Sequence, residues 1–443
     1  MYHPSSDPTN PPLAYRRHLP QAEAGGTLDG DSLEGTGRTS VAIVGGGITG
    51  LSAALHLAES NIQAIVLEAR DVAFGASGRA FGQVVPYLKH DAAEITRHYG
   101  AERGERIIQA IGGGPEFVSR IIERYDIACD VRRSGLIFGA HAPAGERTLQ
   151  GRAAFWQRRG APVEILPSPA AQTAIGSDYY RLALLDHRGI HLNPYAYTRG
   201  LATAARKAGA RIVTGAKVQA LTREGPGWRL QIGQRSLLAD TVILATNAYS
   251  GPLWPSLADS LVPIRGHGIV SGPLSDNLRR TILPGGQALT DTRRLFSGIR
   301  MLPDGRLHAS IDGPISGPET PPNMARLNAR IRRLFPWLHP VQWEENWSGF
   351  FAMTPDHFPR VHQLAPGLLA GFGYSGRGIA AASIIGSELA ARVRGVPDQD
   401  LVFPESPLKP IPGRRFANIP IAALLTWCRW RDAVDDRRAA GTR

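Results

Sequence analysis

The sequence contains little cysteine, little lysine and no long apolar run, and each shortage narrows the range of functions. The 443 residues include only two cysteines, Cys129 and Cys428, which lie far apart. Such a pair provides neither a disulfide framework nor a cysteine metal cluster, and it fits a reducing compartment. No apolar run reaches the roughly 18 residues that a membrane-spanning helix needs. The first residues lack the basic start and apolar core of a secretory signal, so we expect a cytoplasmic protein.

The formal net charge is +12, but the basic residues are spread along the whole chain. Nearly all of them are arginines that alternate with Asp and Glu, since lysine occurs only at Lys89, Lys207, Lys217 and Lys409. Proteins that bind nucleic acids concentrate basic charge in a patch or stripe. We therefore expect a solvated basic surface, with no nucleic-acid partner and no membrane span.

Changes of pattern along the chain predict two intertwined domains and two terminal extensions. Residues 1–37 are rich in Pro, Gly, Ser and Asp without periodicity, which predicts an N-terminal arm that is partly disordered. The other predicted segments are a dinucleotide-binding domain at 38–92, 187–261 and 348–396, a substrate domain at 93–186 and 262–347, and a C-terminal extension at 397–443. The predicted fold class is α/β, with a Rossmann-like βαβ domain interleaved with an α+β domain on a mainly antiparallel sheet.

The most specific motif is GGGITG, which follows the apolar segment VAIV and opens a helical pattern. Gly45 permits the tight turn, and Gly47 lets the main chain approach a pyrophosphate. Gly50 lets the helix lie close to the strand. The amides at the start of this helix, around Ile48 and Thr49, face the negative charge.

Glu68 ends the second strand, eighteen residues after Gly50, and is followed by Ala69 and Arg70. A carboxylate at this place can accept hydrogen bonds from a ribose 2′-hydroxyl and argues against a 2′-phosphate. Together, the strand, the glycines, the helix and the carboxylate predict a site for adenosine diphosphate. This unit does not distinguish NAD from FAD, because both carry that moiety.

Two segments near the first unit and in the middle of the chain favour FAD. The small-residue loop FGASGRAFGQ, with Ala76, Ser77 and Arg79, can bind pyrophosphate or pass beneath an isoalloxazine ring. A plain surface loop would look similar. In ADTVILATNAYSG an apolar strand ends at Ala245 and Thr246, like a segment that recurs in flavoproteins of this fold. Its other interpretation is a buried strand followed by a turn.

A fourth segment, GFGYSGRGIAA, lies near the C-terminus and is a glycine-rich turn that leads into a helix. Its helix N-terminus can face the N1 and C2 carbonyl region of a flavin, where charge accumulates on reduction. A helix-capping turn is the alternative.

In this order the motifs resemble the D-amino-acid oxidase superfamily of FAD enzymes, and most of all its gamma-glutamylputrescine oxidase group. That group typically has GASGRNGGQ and a closing GxSGHGV, whereas this chain has Ala80 and Phe81 in the first motif and Arg377 and Ile379 in the second. The resemblance implies a glutathione-reductase-type FAD domain with non-covalent FAD. The cofactor-binding residues expected from the motifs are Gly45, Gly47, Ile48, Thr49, Gly50, Glu68, Ala69, Arg70, Ala76, Ser77, Arg79, Val218, Ala245, Thr246, Gly373, Gly376, Arg377, Gly378 and Ile379.

The resemblance also implies oxidation of an amine or amino acid at its C–N bond. Hydride would pass to flavin N5, the imine would hydrolyse, and oxygen would reoxidise the flavin. The cofactor performs this chemistry without an obligatory acid–base side chain, so no catalytic residue is assigned. The expected substrate contacts are Arg265, His267, Arg300, Tyr374 and Arg377. Lys89 is the candidate for oxygen activation, and no metal is expected.

Three alternatives stay open at this point. The chain can be a flavin dehydrogenase or tailoring enzyme that uses another electron acceptor, or a non-catalytic flavin-binding redox sensor, or an NAD-dependent dehydrogenase. The C-terminal segment adds a separate question, because it ends in a predicted helix with Leu425, Trp427 and Trp430. We expect these side chains to be core contacts; a membrane-surface helix is the other interpretation.

Overall fold

The computed structural model describes residues 12–17, 19, 30–35, 37–295, 297–313, 323–338, 340–416 and 418–441. In these residues the strands are, in chain order, β1 Arg38–Val44, β2 Ala64–Leu67, β3 Gln83–Val84, β4 Leu136–Gly139, β5 Val163–Pro167, β6 Leu182–Asp186, β7 Ile190–His191, β8 Arg211–Val213, β9 Val218–Glu224, β10 Gly227–Ile232, β11 Arg235–Leu244, β12 Val262–Pro273, β13 Ala288–Asp291, β14 Ser297–Met301, β15 Arg306–Asp312, β16 Trp343–Met353, β17 Arg360–Ala365 and β18 Leu368–Phe372.

The α-helices of the same residues range from single turns to long helices. They are α1 Leu13–Arg16, α2 Ile48–Ala58, α3 Ala76–Arg79, α4 Ala92–Tyr99, α5 Ala101–Gly112, α6 Gly114–Arg124, α7 Pro143–Gln157, α8 Ser168–Ile175, α9 Pro194–Lys207, α10 Asp276–Thr281, α11 Met324–Leu334, α12 Gly378–Val393 and α13 Asn418–Gly441. No described helix is both long enough and apolar enough to cross a membrane.

The first sheet has the strand order β17-β18-β11-β1-β2-β8, and the hairpin β9–β10 adds to β11. Strands β18, β11, β1, β2 and β8 run parallel, as their continuous apolar sequences predict for strands that are buried on both faces. Helices α2 and α12 lie against each other through small residues, and a Cβ on Gly386 would be 2.5 Å from the Thr49 carbonyl oxygen. The predicted Rossmann-like βαβ unit is confirmed.

The second sheet has the order β16-β12-β15-β14-β13-β4-β6-β5 and is antiparallel except for the pair β4 and β13. Helices and a mainly antiparallel sheet confirm the predicted α+β unit. Strand β16 belongs wholly to this sheet, although the expected domain boundary at 347/348 falls inside it. An apolar strand has the same pattern in either domain, so the sequence does not fix that position, and the domain boundaries stay a prediction.

Most of the predicted N-terminal arm lies outside the described residues, but Pro12–Arg17 packs firmly on the body. Tyr15 is 1% exposed, and its hydroxyl donates a hydrogen bond of 2.7 Å to the Ala80 carbonyl. The Asn193 amide donates to the Tyr15 carbonyl at 2.8 Å. The arm therefore contributes a buried aromatic residue that composition alone does not reveal.

The C-terminal helix α13 is attached by charge rather than by its tryptophans. Trp427 and Trp430 are 50% and 58% exposed, so the expectation of core contacts was wrong for them. Asp432 and Asp436 instead accept hydrogen bonds from Arg294 and Arg293 at 2.8 and 2.6 Å. These ion pairs with the loop between β13 and β14 decide which face of the helix turns inward.

Candidate functional site

A cavity of about 1040 Å³ is lined by residues of both sheets. The first sheet contributes the carboxyl ends of β1, β2 and β11, and the second sheet contributes β12 and β16. Ligands of open α/β sheets bind outside the carboxyl ends of parallel strands. Since pockets for drug-sized ligands have roughly 300–1,000 Å³, this cavity has room for a dinucleotide.

Most of the residues expected from the sequence line this one cavity. They are Gly45, Gly47, Ile48, Thr49, Glu68, Ala69, Arg70, Ala76, Ser77, Arg79, Lys89, Val218, Ala245, Thr246, His267, Tyr374, Gly376, Arg377, Gly378 and Ile379. Four others lie outside the lining, namely Gly50, Gly373, Arg265 and Arg300.

The turn between β1 and α2 is shaped by two close main-chain approaches. Gly45 has a φ of +113°, and a Cβ on it would be 2.9 Å from the Ala245 carbonyl oxygen. A Cβ on Gly50 would be 2.1 Å from the carbonyl oxygen of Gly45. Gly50 therefore lets the helix begin directly under the turn. This contact explains why it supports the site without lining it.

The carboxylate of Glu68 faces the cavity at the end of β2. The amide of Gly46 donates to its Oε2 at 2.7 Å, and the amide of Arg70 donates to its Oε1 at 2.9 Å. Burial raises the pKa of Glu68, while these two backbone donors oppose the rise. A carboxylate that is oriented in this way retains lone pairs for the hydroxyl groups of a ligand.

The N-terminus of α2 opens into the cavity, and Gly47, its N-cap, provides no side-chain cap. The amide of Ile48 donates to the Ser77 hydroxyl at 3.0 Å, and a Cβ on Gly47 would be 2.9 Å from that hydroxyl. The free amides and the helix dipole favour an anion here. Ser77 and Arg79 belong to the short helix α3. The guanidinium of Arg79 lies 4.5 Å from the centre of the Phe74 ring.

The closing turn before α12 brings a second helix N-terminus to the same cavity. Gly376 has a φ of +83°, and the amide of Arg377 donates to the Tyr374 carbonyl at 2.9 Å. The hydroxyls of Tyr374 and Thr49 share a hydrogen bond of 2.6 Å, which links this turn to α2. Gly373, with a φ of +80°, serves the turn itself, because a Cβ there would be 2.5 Å from Thr354.

Two arginines that the sequence offers as substrate contacts have structural partners instead. Arg265 is fully buried, donates to the Ser348 hydroxyl at 3.0 Å and lies 4.4 Å from the ring of Phe350. Arg300 donates to the Leu192 carbonyl at 2.8 Å and to the Tyr15 hydroxyl at 3.2 Å. A sequence cannot distinguish such an arginine from one that faces a ligand, because both lie on apolar strands.

Lys89 and Arg377 are the two expected residues that bring charge to the cavity without a partner. Neither side chain has a hydrogen bond or ion pair with the part of the chain that the structure describes. Burial and the nearby Arg377 lower the pKa of Lys89 to about 8. Burial and the nearby Arg152 lower the pKa of Arg377 to about 10.

Several lining residues were not expected from the sequence. Lys217 precedes β9 and lines the cavity. Phe81 lies 4.7 Å from the ring of His308, and both line the cavity. Tyr249, whose hydroxyl accepts from the Phe350 amide at 3.2 Å, was within reach of prediction because it belongs to the quoted segment ATNAYSG.

One group of side chains has the composition of a metal site. Ligand atoms of His141, Asp432 and Asp435 lie within 4.8 Å of one another. The guanidinium of Arg294 donates to both carboxylates at 2.8 Å, so both already pair with a cation of the chain. The expectation of no metal stays a prediction.

Comparison with known proteins identifies the family. The family model described as FAD dependent oxidoreductase matches residues 40–392. The chain belongs to this family of FAD-dependent oxidoreductases. It is 33% identical to the gamma-glutamylputrescine oxidoreductase of Escherichia coli K12 over 397 residues, which cover 89% of this chain and 92% of the relative. The resemblance inferred from the motifs is thereby confirmed.

Solved structures of two other proteins have the same fold. The glycine oxidase from Geobacillus kaustophilus superposes with a TM-score of 0.69 at 21% identity, covering 84% of this chain and 97% of the other. An L-amino acid deaminase from Proteus vulgaris, with its specific insertion deleted, also gives a TM-score of 0.69, at 18% identity, covering 85% and 95% of the two chains.

The cavity of this FAD-dependent oxidoreductase fits the cofactor of its family. A Cβ on Gly47 would enter the space beside Ser77, which is the kind of approach that a pyrophosphate needs. The carboxylate of Glu68 argues for an unphosphorylated ribose, as in FAD. The volume of about 1040 Å³ also accommodates a molecule larger than a typical drug.

Proposed function

We propose that this chain oxidises the C–N bond of an amine or amino acid with FAD that is bound non-covalently. One observation carries the proposal: the cradle for a dinucleotide and the unpaired charges of Lys89 and Arg377 line the same cavity. The relatives support it, since their names specify gamma-glutamylputrescine, glycine and L-amino acids, all of which contain an amine.

Each part of the cofactor has a suitable set of groups in this cavity. We assign the ribose to Glu68, and the pyrophosphate to the main chain at Gly47 and Ile48 with Ser77. The N-terminus of α12, at Gly376–Ile379, is assigned to the isoalloxazine ring, because a helix dipole stabilises the negative charge of a reduced ring. The other residues that the sequence relates to the cofactor and that line the cavity complete this binding site.

FAD, when bound, supplies the acceptor for a hydride from the carbon that bears the nitrogen. The chain's own groups bind and orient the amine next to it and limit the access of water. His267 and Tyr374 both line the cavity, and we assign both to substrate contact. The imine product then hydrolyses in water, so no nucleophile of the protein is required.

Two structural facts support non-covalent attachment. Cys129 and Cys428 lie outside the cavity lining, and neither forms a disulfide. Burial raises the pKa of Cys129 to about 12, which keeps the thiol protonated and unreactive. We expect denaturation to release the flavin.

The proposed oxidase and the main alternative, a dehydrogenase, differ in their electron acceptor. Oxygen is the proposed acceptor, with Lys89 as the residue expected to assist it, and a flavin dehydrogenase that uses another acceptor is the alternative. A cytoplasmic location is proposed with it, because the two unpaired cysteines fit a reducing compartment.

Anaerobic reduction of the bound flavin tests the function. The purified full-length chain is mixed without oxygen with primary amines, secondary amines and amino acids, and the visible flavin absorption is followed. We expect at least one of them to bleach the flavin, and admission of air to restore the colour with formation of peroxide. Bleaching without reoxidation in air would favour a dehydrogenase. A flavin that no amine reduces would favour a redox sensor and contradict the proposal.

A further inference from the structure

Phe81 comes from the loop after α3, but its ring lies on the second sheet. A Cβ on Gly298 would be 2.6 Å from the Cε1 atom of Phe81, so the ring fills a notch that this glycine leaves in β14. The ring centres of Phe81 and His308, on the neighbouring strand β15, are 4.7 Å apart. Phe81 also lines the cavity. A side chain of the first-sheet side therefore forms part of the wall on the second-sheet side.

Arg300 lies behind this ring, with its guanidinium carbon 5.5 Å from the centre of the Phe81 ring. It is 3% exposed and lies outside the cavity lining. Its guanidinium donates to the Leu192 carbonyl at 2.8 Å, to the Tyr15 hydroxyl at 3.2 Å and to His308 Nδ1 at 3.3 Å. The ring of Phe81 therefore closes the cavity side of a pocket that holds the guanidinium.

The partners of Arg300 are a carbonyl, a hydroxyl and an imidazole, and none of them carries a charge. Burial and the charge of Arg300 lower the pKa of His308 well below its ordinary value, so the imidazole is neutral. Within the described ranges of the chain, no carboxylate forms an ion pair with Arg300. A buried cation without an acid attracts any anion that can reach it. Access to Arg300 therefore decides how this wall treats an acid group.

The main chain just before Phe81 is held at two successive carbonyls. The indole N–H of Trp347 donates to the Arg79 carbonyl at 3.1 Å. The hydroxyl of Tyr15 donates to the Ala80 carbonyl at 2.7 Å. These two bonds fix the backbone from which the Phe81 ring projects into its notch. The position of the ring is therefore set by both the second sheet and the N-terminal arm.

The ring of Phe81 offers a ligand neither a charge nor a hydrogen-bond donor. An acid group placed against it would lose water without gaining a partner, which is unfavourable. An alkyl or aryl group in the same place would be removed from water by contact with the ring, which is favourable. This wall therefore discriminates between an acidic and an apolar group of the same shape.

We propose that Phe81 determines specificity, because its ring shields Arg300 from the substrate and receives an apolar group attached to the carbon that bears the nitrogen. The proposal rests on the function proposed above and adds the substrate class, namely amines with an alkyl or aryl group at that carbon. Arg300 then supports the wall and does not bind the substrate.

Calorimetric titration of the purified flavin-containing protein with propionate tests the shield without turnover. We expect Phe81→Gly to bind propionate at least tenfold more tightly than the unmodified chain, because Arg300 becomes accessible. Phe81→Leu, which keeps an apolar side chain in the notch, should bind it like the unmodified chain. The gain should disappear when Arg300→Gln is added to Phe81→Gly. An unchanged affinity in Phe81→Gly, or a gain that survives Arg300→Gln, would overturn the proposal.

The matched control is Phe416→Gly, since this phenylalanine is 62% exposed and lies outside the cavity lining. It should bind propionate like the unmodified chain, and a gain as large as that of Phe81→Gly would contradict a specific shield. Flavin content and thermal unfolding are measured for all variants, so that a loss of fold is recognised. Phe81→Ala, which also removes the ring, replaces Phe81→Gly if that variant does not fold.

Anaerobic flavin reduction separates this proposal from the proposed function. Isobutylamine and glycine have the same arrangement of heavy atoms, with two methyl groups in place of the two carboxylate oxygens. We expect isobutylamine to reduce the unmodified chain faster, and the ratio of the two rate constants to fall at least tenfold in Phe81→Gly but not in Phe81→Leu.

The two proposals can therefore fail independently. If amines reduce the flavin but Phe81→Gly leaves the ratio unchanged, the shield is refuted and the function stands. If no amine reduces the flavin but Phe81→Gly still gains propionate affinity through Arg300, the shield stands and the function is refuted.

Discussion

The two ends of the cavity are built from different kinds of groups. Near β1 and β2 the lining is main chain and small residues, with Gly45, Gly47 and Ser77 leaving space and amides for a ligand. Around Lys89 and Arg377 the lining is charged and aromatic side chains from distant parts of the chain. The end near β1 and β2 depends on small or absent side chains. The end around Lys89 and Arg377 depends on which charged and aromatic side chains come together.

This difference has a consequence for mutation. A site formed by main-chain approach tolerates no added atom, because the neighbouring backbone cannot move aside cheaply. A site formed by charged side chains tolerates changes of shape and responds to changes of charge and pH. Variants at the two ends should therefore fail in different measurements.

The largest effect is expected from Gly45→Val. Valine at this position would have to adopt a φ of +113°, and its side chain would clash with the Ala245 carbonyl. We therefore expect almost complete loss of bound flavin. Flavin per chain is measured from the visible absorption of the purified protein. Gly151→Ala is the control, because no atom lies within 4 Å of its added Cβ on α7 and helix propensity should stabilise it by roughly 0.5–1 kcal/mol. Full flavin content in Gly45→Val would contradict the assignment of this turn.

A smaller effect at the same end is expected from Glu68→Gln. The amide keeps the shape, but it loses the charge that accepts hydrogen bonds from a ribose and from the amides of Gly46 and Arg70. We expect the dissociation constant for FAD to rise about tenfold, which corresponds to about 1.4 kcal/mol. It is measured by titration of the apoprotein with FAD. Glu102→Gln, with a side chain that is 91% exposed, should not change it. An unchanged constant for Glu68→Gln would place the ribose elsewhere.

The other end should respond to pH through Lys89. The groups that act on it are Arg377, His357 and Cys428. Its pKa of about 8 means that the ammonium is present below that pH and is lost above it. Propionate has the carboxylate of an amino-acid substrate but no amine. We expect its affinity, measured by calorimetry, to be constant at lower pH and to fall about tenfold over the two units around pH 8. The profile of Lys89→Gln should be flat; the same decline in that variant would contradict the assignment.

For the fold without a ligand, the lowered pKa of Lys89 has the opposite effect, because the free energy of unfolding should rise with pH. The pKa of Lys89 in the fold is below its ordinary value of 10.5, so the folded chain binds fewer protons between those two values. The free energy of unfolding should therefore increase as the pH rises from 8 to 10.5, and this increase should be lost as the pH falls back through 8. A bound carboxylate should reduce this gain, because it holds the proton on Lys89.

The smallest effect is expected from Tyr15→Phe, which tests the contact of the N-terminal arm with Arg300. The change removes the hydroxyl that donates to Ala80 and accepts from Arg300. We expect the unfolding free energy to fall by about 1–2 kcal/mol, measured by denaturant titration, with unchanged propionate affinity. A marked gain in propionate affinity would mean that Arg300 binds the ligand once it is released from Tyr15.

The sequence allowed the fold class and the cofactor end to be predicted because local rules apply there. The glycines of the first turn, the carboxylate of Glu68 and the closing turn each lie in one short segment whose spacing has a physical meaning. The charged end was only partly predictable. Arg265 and Arg300 looked as suitable as Arg377, and only tertiary contacts decide which of them faces the cavity.

The terminal segments were the least predictable. Tyr15 comes from a segment whose composition predicts disorder. It is nevertheless buried against residues that come together only when the chain folds. Trp427 and Trp430 look like core residues, but the aspartates of the same helix pair with arginines of the loop between β13 and β14 and turn the tryptophans outward. Such choices depend on partners far away in sequence, which neither periodicity nor motif spacing reveals.

The visible absorption spectrum of the purified chain, followed by the spectrum of the supernatant after acid denaturation, tests whether the cavity binds FAD non-covalently. We expect a flavin spectrum in the native protein and free FAD in the supernatant, with a colourless precipitate. A colourless protein that cannot be reconstituted with FAD would contradict the assignment of the cavity, and a precipitate that stays yellow would contradict non-covalent binding.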